Sequence, residues 1–447
     1  MNSSDNNMNG GEVIGSGGYG CVFRPALKCK GKPRRKGYIS KLMTKKHTLA
    51  EFNEATKFKN ILKKIPNYNR YYLLDGITMC ELDKLSHDDL NHFNHKCSAL
   101  AKDDISKETI NYDLHKILSL NMPDGGVDLG DYLELLTYDS MGDVNLNLLD
   151  LLLKGIIPMN NRNIYHSDIK DSNILVKDHL RLIDWGLSTV CKKKTTVIPD
   201  FWVDRPFMYN VPFSVIIFTK YFITMYEDFL IRHANKPSVS QVNNFVYEYI
   251  IFWNQKRGDG HYSAIQRIFR NFYSNEITHI PDEDKENYLF YQYTIHTIID
   301  YITQILIKYT RNGKIYLNNY INEVYVKNVD IWGFIMCYNS IVERLFYNYV
   351  NLSVAEKALF QYISNVMCKY LYTTSIHPIV IKDLVKDLKG LNPLFDRCHT
   401  TFSRTNIATF NGSASNIDTS IYKTTRQDSY RIKSFNRKKI KSIKHKR

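Results

Sequence analysis

Three features are scarce in this chain of 447 residues. Closely spaced cysteines are the first: Cys21, Cys29, Cys80, Cys97, Cys191, Cys337, Cys368 and Cys398 contain no C-x-x-C pair. That speaks against a zinc knuckle or disulfide frame and for reduced, structural thiols. Long apolar runs are the second. The longest uncharged stretch, Pro206–Thr219, falls short of the roughly 20 residues a membrane helix needs, includes Asn210 and two prolines, and is read as buried core. Glycine and proline are the third, at 21 and 12 residues, too few for a collagen-like or low-complexity chain. What remains, 44% hydrophobic, 13% aromatic and 23% charged, describes a globular protein with a full core, one large domain or one domain carrying a sizeable insertion. No repeat of fixed period is present. Met1–Gly11 is polar and Asn-rich, so a secretory leader is not expected and an intracellular location is.

The net charge of +15 is concentrated in two places. Lys28–Lys36 holds six bases and no acid, and Arg431–Arg447 holds nine and no acid, which leaves a formally neutral body. From about residue 402 the chain is rich in Ser, Thr and Asn, then basic, without apolar periodicity, and is expected to be disordered. Such a tail suits contact with a polyanion, whether nucleic acid or membrane phosphate, or an import receptor, or it serves solubility alone. Its few aromatics argue against specific single-strand recognition.

Glu12–Phe23 and Tyr38–Met43 have strand character, with Lys28–Gly37 as the loop between them. Thr48–Ile65 carries Leu49, Phe52, Ala55, Phe58, Ile61 and Leu62 at helical spacing, and Pro66 stops it. Strands are expected again at Tyr71–Met79 and Ile117–Asn121, separated by a His-rich insertion or short helices. Leu129–Leu136 and Val144–Gly155 read as helices, Ile174–Ile183 as a hairpin, and most of 212–398 as helical.

Four constellations bear chemistry. Gly15-Ser16-Gly17-Gly18-Tyr19-Gly20-Cys21-Val22 between two strands allows a tight turn whose backbone approaches triphosphate oxygens, with Val22 to cover a flat base. Lys41 ends a strand and can pair with α- and β-phosphates. It needs a carboxylate to hold it, and of Glu51 and Glu54 the latter is preferred because it leaves the helix room to start and turn inward. The strongest signal is His166-Ser167-Asp168-Ile169-Lys170-Asp171-Ser172-Asn173, with Asp184-Trp185-Gly186 following. Asp168 can orient an attacking hydroxyl and accept its proton. Asn173 and Asp184 offer the hard oxygens that Mg²⁺ prefers, and Lys170 can neutralise a transferring phosphoryl group.

These motifs resemble those of eukaryotic-type serine/threonine protein kinases. Gly15, Gly17, Gly20 and Val22 match the Gly-rich loop, Lys41 the strand lysine, Glu54 the helix glutamate, His166–Asn173 the catalytic loop and Asp184–Gly186 the D-F-G. Val329-Asp330-Ile331-Trp332-Gly333 resembles the buried helix whose Asp braces that loop. The resemblance implies an α+β bilobal protein-kinase-like fold. A small β-rich N-lobe would span 12–122 after a leader of 1–11, a large helical C-lobe 123–398 with a helical insertion at about 220–327, and a disordered basic tail 399–447. It implies ATP and Mg²⁺ as cofactors, Ile14 to Val22, Lys41 and Met122 against the nucleotide, and protein Ser or Thr as acceptor, Lys170 resembling the Ser/Thr class. Composition, the D-W-G and Arg205-Pro206-Phe207…Asn210-x-Pro212-Phe213 further resemble kinases of large nucleocytoplasmic DNA viruses, which implies host cytoplasm, virion, or a nucleus reached through the tail.

Departures from that pattern carry expectations of their own. Ser167 replaces the arginine that in many kinases grips an activation-loop phosphate, so activity without phosphorylation of Thr189, Thr195 or Thr196 is expected. No A-P-E is present, and Arg205-Pro206 stands in its region. Leu120 would back the adenine pocket. Pro123 lacks an N–H, so Met122 or Asp124 is left to donate at the hinge. The insertion is read as a subdomain packed on the C-lobe, and His87, His92 and His95 as too incomplete a set for a metal. Lys192–Lys194 suits acidic substrates or is a solvated loop. Two rivals are a small-molecule phosphotransferase of the same fold and a pseudokinase scaffold. The complete Gly loop with Lys170 argues against the first, and the presence of Lys41, Asp168, Asn173 and Asp184 against the second.

Overall fold

The structure, a computed structural model, describes residues 10–192 and 194–405. The tail Arg431–Arg447 and nearly all of the leader lie outside the described residues. The account below concerns the compact unit that ends at Thr401.

Strands β1 (Glu12–Ser16), β2 (Gly20–Arg24) and β3 (Tyr38–Thr44), helix α1 (Lys45–Leu62), and strands β4 (Thr78–Cys80) and β5 (Ile117–Pro123) build the small lobe. The strands form one antiparallel sheet in the order β1-β2-β3-β5-β4. Its pleat sends Cys21 and Phe23 of β2 and Leu42 of β3 into a fully buried core. Helix α1 buries Thr48, Ala55, Phe58 and Leu62 and stops before Pro66, but it starts at Lys45, three residues earlier than the periodicity suggested.

The large lobe is mainly helical. Its hairpin Ile174–Val176 with Leu180–Leu182, and the pair of Ile164–Tyr165 with Thr189–Val190, bracket the segments 166–173 and 183–188 in the chain. Beneath lies the helix Val326–Met336, buried at every residue from Asn328 on. The insertion contributes helices Lys220–Arg232, Val239–Arg257, Tyr262–Tyr273 and His296–Tyr309. Its aromatics are largely core, as expected, with Tyr221, Tyr291 and Tyr316 exposed: Phe222 meets Tyr249 and Phe229 meets Phe245, each at 4.8 Å between ring centroids, a contact geometry that adds to simple burial. The arrangement is the bilobal α+β kinase-like fold with a helical insertion.

Two expectations about the fold need correction. Tyr71–Met79 is a strand only from Thr78. Gly76 at φ +73° turns the chain, and before it the segment is held by the large lobe, Leu73 donating to the Leu182 carbonyl and Leu182 to that of Tyr71. Four cysteines are not free thiols, because Cys21 is bonded to Cys97 and Cys29 to Cys80. The partners are 76 and 51 residues apart and are brought together by sheet topology, which local spacing does not encode. The basic Lys28–Lys36 loop, for its part, is met by groups of the small lobe. Lys28 pairs with Asp83 at 2.9 Å, Arg34 with buried Asp89 at 3.0 Å, and the Arg35 guanidinium lies over the Tyr38 ring. Among the described residues no helix is long and apolar enough to cross a membrane.

Candidate active site

The Gly-rich loop is the turn between β1 and β2, closed by Gly17 donating to the Gly20 carbonyl at 2.8 Å. A Cβ on Gly20 would strike Met43 and the Leu42 carbonyl, whereas at Gly15 and Gly18 it would meet nothing. The fold therefore requires glycine at 20 only, and the open face at 15 and 18 leaves room for an outside group to approach the backbone. Ile14 and Tyr19 are exposed, the latter stacked on His47, and Val22 is half-buried. Two residues expected on the nucleotide face elsewhere: the Ser16 hydroxyl accepts from the Ala99 N–H at 3.1 Å, and the Cys21 side chain is turned into the core and its disulfide. Only their backbones remain to the loop.

Lys41 sits in the middle of the sheet, opposite Val22 on β2 and Leu120 on β5. Its Nζ donates to both carboxylate oxygens of Glu51, at 2.8 and 2.7 Å. Burial disfavours its charge, but Glu51 and Asp184 outweigh that and hold the lysine above its ordinary value. Glu51, not Glu54, is thus the partner. Because α1 begins directly after β3, its first turns carry position 51 to Lys41, and Glu54 lies nearly a turn further on. Glu54 is half-buried and its carboxyl is raised, first by desolvation and further by Glu51 and Asp184, against the opposing Lys57.

The catalytic loop hangs from Asp330. That carboxylate accepts from the His166 N–H at 2.9 Å and the Ser167 N–H at 2.8 Å. Asp330 is fully buried, and burial pushes it up to about 7 although both N–H groups work the other way. His166 Nε2 faces the Ile183 carbonyl at 2.9 Å, which can only accept, so this nitrogen carries the proton. Burial lowers the His166 pKa. Ser167, at φ +60°, accepts from Trp202 Nε1 at 2.8 Å, and its carbonyl from Arg205 at 3.1 Å.

Asp168 is the centre of the network. Its Oδ2 accepts from Asn173 Nδ2 at 2.9 Å and is 3.2 Å from Lys170 Nζ, while Oδ1 accepts from Asn210 Nδ2 at 2.8 Å. Asn173 Nδ2 also reaches the Asp168 carbonyl at 2.8 Å, which leaves its Oδ1 as the free ligand atom. Asp184, at φ +61°, is exposed and joined to Asn173 through the Ile183 N–H. An amide oxygen and a carboxylate are hard donors and fit Mg²⁺, which keeps waters and phosphate oxygens for its other positions. Trp185 is buried against Phe58 of α1, Tyr72 and His166, tying the D-W-G to the helix that supplies Glu51.

At the hinge, Leu120 is buried and Met122 is half-buried opposite Ile39. Asp124 is not a free donor, because its N–H is given to the Gly37 carbonyl at 2.9 Å. Sequence reasoning missed Asn210 as a partner of Asp168, although the N-x-P-F block stood out.

Residues 107–210 match the family model for the protein kinase domain. No curated protein matches the chain. The matched stretch is just under a quarter of the sequence and runs from before β5 through the catalytic loop and D-W-G to Asn210. The Gly-rich loop, Lys41 and Asp330 lie outside it and are read from the geometry above. The match and the bilobal fold together support a phosphotransferase of kinase fold.

Proposed function

We propose that the chain is an ATP-dependent protein kinase that transfers the γ-phosphoryl group of Mg-ATP to serine or threonine hydroxyls of proteins. The observation that carries this reading is Asp168, set by Asn173, Lys170 and Asn210 on a loop braced by Asp330, with the Lys41–Glu51 pair formed. Lys41 positions the α- and β-phosphates, and the open Gly15 and Gly18 backbone covers them. Asn173 Oδ1 and Asp184 would hold Mg²⁺, whose chemistry is to neutralise charge on the β- and γ-oxygens. Asp168 orients the acceptor hydroxyl and takes its proton as the bond from γ-phosphorus to the acceptor oxygen forms and that to the ADP oxygen breaks. Lys170, beside Asp168, offsets charge on the moving phosphoryl group. Lys170 is also what favours a Ser/Thr acceptor. The resemblance to kinases of large nucleocytoplasmic DNA viruses extends the reading to host cytoplasm or virion, with the basic tail as a contact for polyanions.

The test is transfer of labelled γ-phosphate from Mg-ATP to casein and myelin basic protein, with Asp168→Asn in parallel. Phosphoserine or phosphothreonine formed by the parent and lost in the variant is the expected result. Equal transfer by folded Asp168→Asn would overturn the assignment of the base, and ATP binding without transfer to any protein would overturn the protein acceptor.

A further inference from the structure

The stretch 205–210, which occupies the region where an A-P-E is missing, is held along one side at alternate carbonyls. Trp253 Nε1 donates to the Arg205 carbonyl at 3.0 Å, the His261 N–H to that of Phe207 at 2.8 Å, and Trp332 Nε1 to that of Tyr209 at 2.9 Å. The first two donors belong to the insertion and the third to the buried helix. Arg257 Nε adds a bond to the Asp204 carbonyl at 2.6 Å. The insertion's turn is fitted to this contact: Gly260 has φ +53°, and a Cβ there would collide with the Phe207 carbonyl and Pro206. At the end of the stretch Asn210, fully buried, donates to Asp168 Oδ1 and, at 3.2 Å, to the Ile169 carbonyl. Gly333 allows this approach, since a Cβ there would strike the Ile169 carbonyl.

We infer that Asn210 is the positioning residue of the catalytic base, and that the helical insertion, through Trp253 and the His261 backbone, holds it in place. The insertion is then a working part of the catalytic unit and not only a subdomain packed upon it. This rests on the phosphotransfer reading. Asn210 matters as a donor: its Nδ2 is one of the two amides that fix the Asp168 carboxylate from either side, Asn173 being the other. A carboxylate held from both oxygens has one orientation toward an acceptor hydroxyl. A small loss of that geometry far from the bond-forming atoms lowers the rate on the order of 10²-fold.

The experiment compares Asn210→Leu, Asn210→Asp, Asn210→Thr and Trp253→Phe with the parent in kcat, KM for ATP and KM for casein, with thermal melting recorded for each. If Asn210 acts as a donor, the nearly isosteric Asp is the worst variant because it sets a like charge against Asp168. Leu falls on the order of 10²-fold in kcat, Thr, which keeps a hydroxyl donor, recovers part of the loss, and KM for ATP stays at the parent value. If the residue only fills space, the order reverses, with Asp closest to the parent, and the inference fails. Trp253→Phe keeps the ring and removes one N–H, so reduced kcat with unchanged melting is expected. An unchanged kcat there removes the insertion from the catalytic unit. The parent and Asp168→Asn in the same series separate the two levels: if the parent transfers nothing, the phosphotransfer reading has failed, and if Asp168→Asn retains full transfer, the assignment of Asp168 as the base has failed and Asn210 has no base to position.

Discussion

At the scale of residues, the site turns on which carboxylate meets Lys41. The Glu51 pair has both oxygens within 2.8 Å of Nζ, and in kinase-type transfer this pair must be in place. Glu51→Gln is expected to lower kcat on the order of 10²-fold, with Glu54→Gln close to the parent, in a steady-state assay of casein phosphorylation. Glu54 has a second signature. Its folded pKa is raised above the ordinary 4.5, so between 4.5 and the folded value the native state binds more protons than the unfolded one and stability falls as pH rises. Above that window the penalty is constant, so Glu54→Gln should match the parent's melting temperature in acid and exceed it at neutral pH. The expectation of Glu54 failed on the register of the helix alone: Lys45, Lys46 and His47 are polar and show no periodicity, so the helix start could not be placed, and three residues of error became one turn of error at Lys41. Asp168, Lys170, Asn173 and Asp184, by contrast, are fixed relative to each other by one short loop and one hairpin, which is why their grouping was legible without a structure.

At the scale of elements, alternation and the 3.6-residue period were enough to find β1, β2, β3, β5 and α1, because each buries one face, the strands through Val13, Cys21, Phe23, Leu42 and Ile117 in the small lobe's core and α1 through Ala55, Phe58 and Leu62 in the core it shares with the large lobe. They could not find the disulfides, whose partners are chosen by strand order. Cys21–Cys97 joins β2 to the short helices Phe93–Lys96 and Ser98–Ala101 across 76 residues, and Cys29–Cys80 joins the basic loop to β4 across 51. Closing loops of that length stabilises a fold by about 2–5 kcal/mol per bridge. Cys29→Ser with Cys80→Ser should therefore lower the guanidinium midpoint in non-reducing buffer, and a reductant should lower the parent toward the variant. A parent midpoint indifferent to reductant would mean that the bridges do not form in solution. The basic loop makes a related point about charge: the sequence shows six bases in nine residues and no acid, but Asp83 and Asp89, more than 45 positions away, meet two of them.

At the scale of the whole molecule, the insertion holds the activation segment at both ends. Near its start Asn322 accepts from the Thr195 N–H at 3.1 Å and donates to the Thr195 carbonyl at 2.9 Å, and Asn318 donates to the Thr196 carbonyl at 2.8 Å. Near its end lie the Trp253 and His261 bonds. Where many kinases use an arginine and a phosphate, Ser167 is here occupied by Trp202 and Arg205. Transfer by the triple variant Thr189→Ala, Thr195→Ala, Thr196→Ala, or by phosphatase-treated parent, should therefore stay near the untreated level, and loss of activity in both would contradict it. The absence of the arginine is legible in the sequence, but the amides of Asn318 and Asn322 are not, since residues 318 and 322 meet 195 and 196 only through the path of the chain around the large lobe. One further property follows from how the four tryptophans are placed. Trp202, Trp253 and Trp332 each donate to the catalytic loop or the 205–209 stretch, Trp185 packs on His166, and all four are buried. Every indole thus touches the catalytic loop or the 205–209 stretch, two of them also lying in the cores of the insertion and the buried helix, so the intrinsic emission of this protein is an optical gauge of that loop and stretch, blue in the folded protein and moving red as water reaches them.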